Sequence, residues 1–484
     1  MPSVPTRAQS ALDFIPPNYS PWLRRLMRPI MPAWTAWQTD IADVETHNVE
    51  ALANLYQAFE AGKTRFLIAF RHPNATDPYV LSHLMWRALP YEARRLGIKI
   101  SSPHSHFIYD RGIPLWAGSY LSWVFSRLGG VPIQRGKLDL LALKTARRLF
   151  LDGQFPLAAA PEGGNNGHNE IVSPLEPGIA QLAFWCAEDL KANDRDESVV
   201  ILPVGIQYRY FEAPWPQLHK LIAQLETESG LGKPNVDEMA TLRQLFAAGV
   251  TSGAGEDAKG AVAASGAAMK ELEPVELYGR LYRLAEHLLT LMEGYYRDFY
   301  GASFEQDDEI VEPNAQLAAR LQSLMDEALK VAENYFNVRP KGSFIDRCRK
   351  LEQAGWDRIF REDTMSLSPV ELGLADRVAE EADLRMWHMR LVESFVAVTG
   401  RYVKEHPSAD RFAETTLLLR DMTAKIMGKS SEARPYLGEQ NAIVTVGSPI
   451  EVTPRLADYK AKRRREIASL TKDLQGELES LILT

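Results

Sequence analysis

From about Arg65 to Tyr210, short apolar runs alternate with amphipathic stretches, the pattern of successive βαβ units. The runs Arg65–Phe70, Ile98–Ser101, Val131–Gln134, Pro156–Ala160 and Val199–Ile206 predict strands, with helices between them. Beyond Tyr210 the period lengthens. Leu277, Leu281, Leu284, Leu288, Leu291 and Tyr295 recur at helical spacing, as do Leu317, Leu321, Leu324, Ala328, Val331 and Tyr335. Gly249–Ala268 is a Gly, Ala and Ser run with too little apolar surface to offset the entropy of ordering, and it predicts a flexible loop. The later run Ala442–Val446 is β-rich and must pair somewhere, since an isolated strand leaves backbone groups unsatisfied and an edge exposed. The sheet of the first half is the available partner. The pattern therefore predicts an α/β fold, a mixed sheet flanked by helices and interrupted by a large helical insertion. Its expected parts are an N-terminal amphipathic, helical arm over 1–60, an α/β domain over 61–210 plus 441–484, and an insertion over 211–440 containing loop 249–268.

A chain of 484 residues is long enough for two or three cores, so burial is not limiting. With 45% hydrophobic and 24% charged residues, collagen-like, disordered and disulfide-scaffold classes are excluded. The formal net charge of -8 argues against a nucleic-acid partner, because phosphate affinity rests on clustered Lys and Arg. Cys186 and Cys348 sit in apolar or helical contexts without metal spacing, which fits a reduced, cytoplasmic setting. No run of about 18 apolar residues predicts a membrane-spanning helix, and no signal-peptide pattern opens the chain. Between Phe14 and Trp37, however, Trp22, Leu23, Leu26, Met27, Ile30, Met31, Trp34 and Trp37 recur near helical spacing beside Arg24, Arg25 and Arg28. That is the pattern of an interfacial helix in peripheral contact with the cytoplasmic face of a membrane, and equally that of an arm packed on the domain. Pro29 and Pro32 interrupt it.

The chemistry concentrates in Phe70-Arg71-His72-Pro73-Asn74-Ala75-Thr76-Asp77-Pro78, directly after the first expected strand. Ligands of open α/β sheets gather at the carboxyl ends of strands. Asp77 suits a helix N-cap and Pro78 the first turn. Residues five apart on one helix point away from each other, so His72 meets Asp77 only from a preceding loop. The carboxylate then holds one imidazole nitrogen and leaves the other as a base. Alone, the pair reads better as a helix cap beside a surface histidine. Three further blocks follow in fixed order: Gly129-Gly-Val-Pro-Ile-Gln-Arg135, then Ala160-Pro-Glu-Gly-Gly164 with Pro177-Gly-Ile-Ala-Gln-Leu-Ala183, then Val200-Ile-Leu-Pro-Val-Gly205.

These four blocks resemble those of the glycerolipid acyltransferase superfamily, of the lysophosphatidate (1-acyl-glycerol-3-phosphate) acyltransferase type. The histidine, four residues and aspartate match His72 and Asp77. Gly130 to Arg135 is similar to the Gly-aliphatic run ending in Arg, Pro161-Glu162-Gly163 to the Pro-Glu-Gly block, and Ile201-Leu202-Pro203-Val204 to the apolar strand ending in Pro. The resemblance covers about Arg65 to Ile206 and, more loosely, Ala442 to Ile450. It implies transfer of a fatty acyl group from acyl-CoA or acyl carrier protein to a hydroxyl of a glycerolipid precursor, in phospholipid biosynthesis, with no other cofactor. His72 is then the general base and Asp77 its orienting partner, and no covalent acyl-enzyme is needed. Arg135 and Lys137 are candidates for holding a phosphate, a task that suits a guanidinium. Glu162, Gly163, Asn165 and Pro203 complete the candidate substrate-binding set, with Glu162 either positioning the acceptor or bracing its loop.

The sequence also departs from that pattern. The family usually continues Pro-Glu-Gly with Thr-Arg-Ser, whereas Gly164, Asn165 and Asn166 stand here, and Gln134 replaces the acidic residue before Arg. Loss of that Arg removes a partner for an acceptor phosphate and opens a second reading, an acyltransferase for a non-phosphorylated acceptor that Asn165, Asn166, His168 and Asn169 bind. A third reading is a non-catalytic lipid or carrier-protein binding module, against which the presence of both His72 and Asp77 speaks. His104 and His106 supply two ligands where a zinc site takes three or four, so no metal is expected. The basic run Lys460 to Arg465 suits anionic headgroups or a plain solvated helix face.

Overall fold

The computed structural model describes residues 6–134, 139–232, 235, 237–238, 240–241, 265–304, 312–395, 401–429 and 433–483. The chain forms two compact units, one of residues 12–211 with 439–483 and one of residues 6–11 with 212–438.

The first unit runs α1 (Pro21–Gln38), β1 (Ile41–His47), α2 (Val49–Glu60), β2 (Thr64–Phe70) and α3 (Asp77–His83), which passes through a π-helical turn into α4 (Leu89–Arg95). Then come β3 (His106–Asp110), α5 (Ile113–Ala117), α6 (Tyr120–Arg127), β4 (Gly130–Ile133), α7 (Leu140–Asp152), β5 (Leu157–Ala159), α8 (Gly178–Ala192) and β6 (Ser198–Tyr210). After the second unit the chain returns as β7 (Gln440–Val446) and β8 (Ile450–Glu451), and two helices, Leu456–Ala461 and Arg463–Ser480, follow. The strands form one mixed sheet in the order β1-β7-β6-β2-β5-β3-β4, with β8 antiparallel on β6. Strands β6, β2, β5, β3 and β4 are parallel, and β7 joins antiparallel to β6.

Strand alternation sorts the side chains onto two faces. Phe66, Ile68 and Phe70 of β2, with Leu202, Val204, Ile206 and Tyr208 of β6, pack against Leu52, Tyr56, Val80, Leu84 and Leu89 of the helices on one side. Leu67, Ala69, Val199 and Ile201 pack on the other side against Ala146, Phe150, Ala183, Phe184, Leu470 and Leu474. Burial on both faces explains why β2 and β6 read as near-continuous apolar runs.

Two expectations about strands change. Residues 41–47, expected within a helical arm, form β1, parallel to β7 in the register Val44↔Ala442 to His47↔Thr445. Ile98–Ser101 is not a strand: Ile98 and Ile100 fill the core edge and the Ser101 N–H bonds the Glu60 carboxylate, while the sheet strand is His106–Asp110. The α1 helix forms through both prolines and buries Leu23, Arg24 and Met31.

The second unit is helical, with main helices Trp215–Glu228, Ser265–Tyr300, Pro313–Phe336, Phe344–Ile359, Pro369–Phe395 and Ala409–Ile426. Leu277, Leu281, Leu284 and Leu288 are buried as their spacing predicts, but Leu291 is exposed and the buried stripe passes to Met292 and Tyr296. Residues 249–264 of the expected loop lie outside the described residues, and 265–268 are the first residues of a helix.

Candidate active site

Parallel strands β2 and β5 release their chains at the same sheet edge, and both chains enter the site. Arg71 extends the β2 ladder by one bond, its N–H donating to the Val204 carbonyl at 2.9 Å. The chain then turns at Pro73. Asn74 accepts the Thr76 N–H on its side chain and the Asp77 N–H on its carbonyl, a local Asx-type turn that brings the chain into α3. Asp77, expected as the N-cap, is instead the first helical residue, because its carboxylate turns back into the loop rather than toward the helix amides.

The structure brings His72 and Asp77 together, with Nδ1 of His72 2.7 Å from Oδ2 of Asp77. The same Oδ2 accepts the Asn74 N–H at 3.1 Å, and Oδ1 accepts the hydroxyl of Tyr208. Asp77 is fully buried, whereas the His72 side chain is 24% exposed. Burial raises the Asp77 carboxyl above its usual value, and the hydrogen bonds from His72, Tyr208 and Asn74, with the His72 charge, oppose that shift only in part. With Nδ1–H given to the carboxylate, Nε2 of His72 has no hydrogen-bond partner among the described residues and can take a proton from a hydroxyl that reaches it.

Glu162, from the turn after β5, is buried and spends its carboxylate on bracing. Oε1 accepts the His72 backbone N–H at 2.9 Å and lies 3.8 Å from Nε of Arg71, and Oε2 accepts the Ser173 N–H at 2.9 Å and the Asn166 amide at 3.1 Å. Arg71, also buried, donates to the carbonyls of Asn169 and Ile171 at 2.5 Å and of His168 at 3.1 Å. The His72 loop is thereby tied to residues 162–173. Gly163 takes φ +73° at this turn, a conformation that favours glycine.

The other candidates divide. Asn165 is exposed beside the turn. The Asn166 amide also bonds the Ile171 carbonyl and Ser173 hydroxyl, and Asn169 accepts the Tyr208 N–H at 2.8 Å, so these polar residues serve the loop itself. Pro203 is buried within β6 beside Ala69, its carbonyl accepting the Gly447 N–H, and belongs to the platform beneath the loop. Arg135 and Lys137 lie outside the described residues. Cys186 and Cys348 are buried free thiols, and burial pushes Cys186 up to about 12 and Cys348 higher still.

His104 and His106 are engaged internally. In His104, Nδ1 accepts the Trp86 indole N–H at 3.2 Å and Nε2 donates to the Leu128 carbonyl at 2.8 Å. His106 bonds the Gly129 carbonyl through Nδ1, and a Cβ on Gly129 would fall 2.6 Å from that same nitrogen, which accounts for a glycine at a φ of +82° there. Among the described residues no cluster of three or more His, Cys, Asp or Glu is placed to hold a metal.

Tyr208 and Arg71 were not singled out from the sequence. Tyr208 carries a signal nonetheless, since it continues the period-two series Leu202, Val204, Ile206 onto the face where α3 begins.

Residues 43–207 match the family model described as Acyltransferase. This stretch, which contains the His72–Asp77 pair, is an acyltransferase domain of the glycerolipid acyltransferase family, the family that includes the lysophosphatidate enzymes. No curated protein and no solved structure matches the chain.

Proposed function

We propose that the protein is an O-acyltransferase that moves a fatty acyl group from acyl-CoA or acyl carrier protein to a hydroxyl of lysophosphatidate or glycerol 3-phosphate. The observation that carries this reading is the His72–Asp77 pair, buried on the carboxylate side and open at Nε2, within an acyltransferase domain. His72 takes the acceptor's proton as its oxygen attacks the thioester carbonyl, Asp77 offsets the imidazolium charge, and the proton then passes to the leaving thiolate. Glu162 supports that step through the backbone of His72 rather than by touching the acceptor.

A peripheral site at the membrane's cytoplasmic face is part of the proposal. No helix among the described residues is long and apolar enough to cross a membrane. The α1 helix leaves Trp22, Leu26, Ile30, Trp34 and Trp37 exposed along one stripe, with exposed Arg25 and Arg28 on the same helix, a composition suited to an anionic lipid surface. In a flotation assay with vesicles containing phosphatidylglycerol, replacing Trp22 and Trp37 together by Ala should release the protein; unchanged flotation would remove α1 from the account.

The deciding assay is thiol release from long-chain acyl-CoA and acyl carrier protein against lysophosphatidate, glycerol 3-phosphate and non-phosphorylated alcohols. Release that requires a phosphorylated glycerol supports the proposal. Release only with a neutral alcohol or an amine would move the acceptor to another class, which is the direction the missing Arg after Pro161-Glu162-Gly163 favours. No release with any pair would overturn an enzymatic role.

A further inference from the structure

We propose that Tyr208 is a positioning residue of the transfer site, its hydroxyl fixing the Asp77 carboxylate so that His72 keeps its proton on Nδ1 and presents Nε2 as the base. This deepens the function proposed above and rests on His72 and Asp77 acting as a dyad.

The argument begins with the division of labour at Asp77. One carboxylate oxygen takes both Nδ1–H of His72 and the Asn74 N–H, while the other takes Tyr208. Without the phenol, Oδ1 would be a fully buried carboxylate oxygen with no other hydrogen bond among the described residues, and the group would gain freedom to turn away from the imidazole. The direction of the Tyr208 proton is also fixed. The Thr76 hydroxyl donates to the phenol oxygen at 3.2 Å, so the single phenolic proton points to Asp77. Burial foremost, and the Asp77 charge after it, push the phenol well above its usual 10, which keeps it a donor.

Tyr208 itself is held at two points. Its ring is 2% exposed, in the core against α3, and its backbone N–H donates to Asn169 at 2.8 Å. The carbonyl of Asn169 is bound by Arg71, the residue immediately before His72. One tyrosine thus joins the loop that carries His72 to the carboxylate that orients it, an arrangement that fixes reacting groups more tightly than either contact alone.

Tyr208→Phe keeps the ring and removes only the donor. With the acyl donor and acceptor that support wild-type thiol release, we expect kcat to fall about tenfold, as for loss of one charge-assisted hydrogen bond, with KM within about twofold. A carboxylate that loses a donor holds a proton more tightly, so the acid limb of the pH–kcat profile should move up by at least about half a unit. Thr76→Val, which leaves the phenol in place but frees its orientation, should shift the limb the same way by less. It also stands in if Tyr208→Phe does not fold. An unchanged acid limb in both variants overturns the proposal, whether or not thermal stability falls, because a packing role alone does not move that limb. His72→Ala is measured alongside. Activity retained in His72→Ala sinks the dyad reading, whereas activity lost there but untouched in the Tyr208 and Thr76 variants sinks only this inference.

Discussion

His72 and His104 belong to the same unit and look alike in the sequence, each a histidine beside a proline next to an expected strand. Their surroundings separate them. His104 is fully committed: one nitrogen accepts from Trp86, the other donates to Leu128, and burial pushes the ring down to about 3. His72 gives one nitrogen to a carboxylate that two further donors hold in place, and its other nitrogen is open on a partly exposed side. His388 in the helical unit repeats the first pattern, between the hydroxyls of Tyr296 and Tyr300, and is pushed down to about 4, chiefly by burial. A histidine held between neutral partners works as a polar spacer in the core. Only one backed by buried negative charge is ready to accept a proton and remain cationic through a reaction step.

The largest expected effect breaks this comparison at His72. In His72→Ala, kcat should fall about 10²- to 10⁴-fold, the usual contribution of a general base. The backbone N–H to Glu162 survives the substitution, but the buried Asp77 carboxylate loses one of its donors, so stability should fall by about 1–3 kcal/mol. Activity near wild type would place the base elsewhere. The next effect concerns what holds His72 in place. In Glu162→Ala, the fully buried Arg71 loses its counter-charge and the His72 and Ser173 amides lose their acceptor. Loss of one partner from a buried charged network typically costs about 3–5 kcal/mol, so urea unfolding should move to clearly lower concentration. An unchanged midpoint would mean that Glu162 faces substrate rather than bracing the loop.

The sequence made most of the α/β unit legible because β2, β5, β6 and β7 carry their own apolar runs, and α3 announces itself through Asp77-Pro78. Strand β1 was hidden. Ile41–His47 alternates with acidic residues, and its partner lies in β7, across the whole helical unit in sequence. Strand β3 was hidden for a local reason: its buried positions are His106 and Tyr109, which do not score as an apolar run, while the partly buried Ile98 and Ile100 nearby do. Within the site, Phe70 to Asp77 was readable as a loop leading into a helix. Its supports were not, because Arg71, Glu162 and Tyr208 are tied together across three elements, and no spacing within one element encodes such contacts. Glu162 comes nearest to being legible, since the Pro161-Glu162-Gly163 turn stands out in the sequence and its carboxylate there suits either a brace or an acceptor contact.

The smallest effect tests the other half of the comparison, that His104 is neutral in the fold. A histidine whose folded pKa is depressed contributes stability that is fully present above its unfolded value of 6.5 and is lost as pH falls toward the folded value, here about 3. Between those limits the unfolded chain binds the extra proton, at about 1.4 kcal/mol per pH unit for one group. His106 and His388 have the same sign. Glu312, lowered to about 2 with Lys404 and the Ala315 N–H among its partners, loses its contribution only below 4.5 and leaves the window from 6.5 to 5 untouched. Asp77 works in the opposite sense, since its raised pKa means that acid favours the fold as the carboxyl protonates. Total stability against pH therefore mixes signs, and the informative quantity is the difference between the wild type and His104→Gln, whose amide can still donate to Leu128 but cannot titrate. From pH 7 to 5 the wild type should lose roughly 1–2 kcal/mol more than the variant in equilibrium urea unfolding. Parallel losses in the two proteins would mean that His104 binds protons alike in the folded and unfolded chains, and a smaller loss in the wild type that it is already protonated in the fold; in either case the contrast with His72 would have to rest on exposure alone.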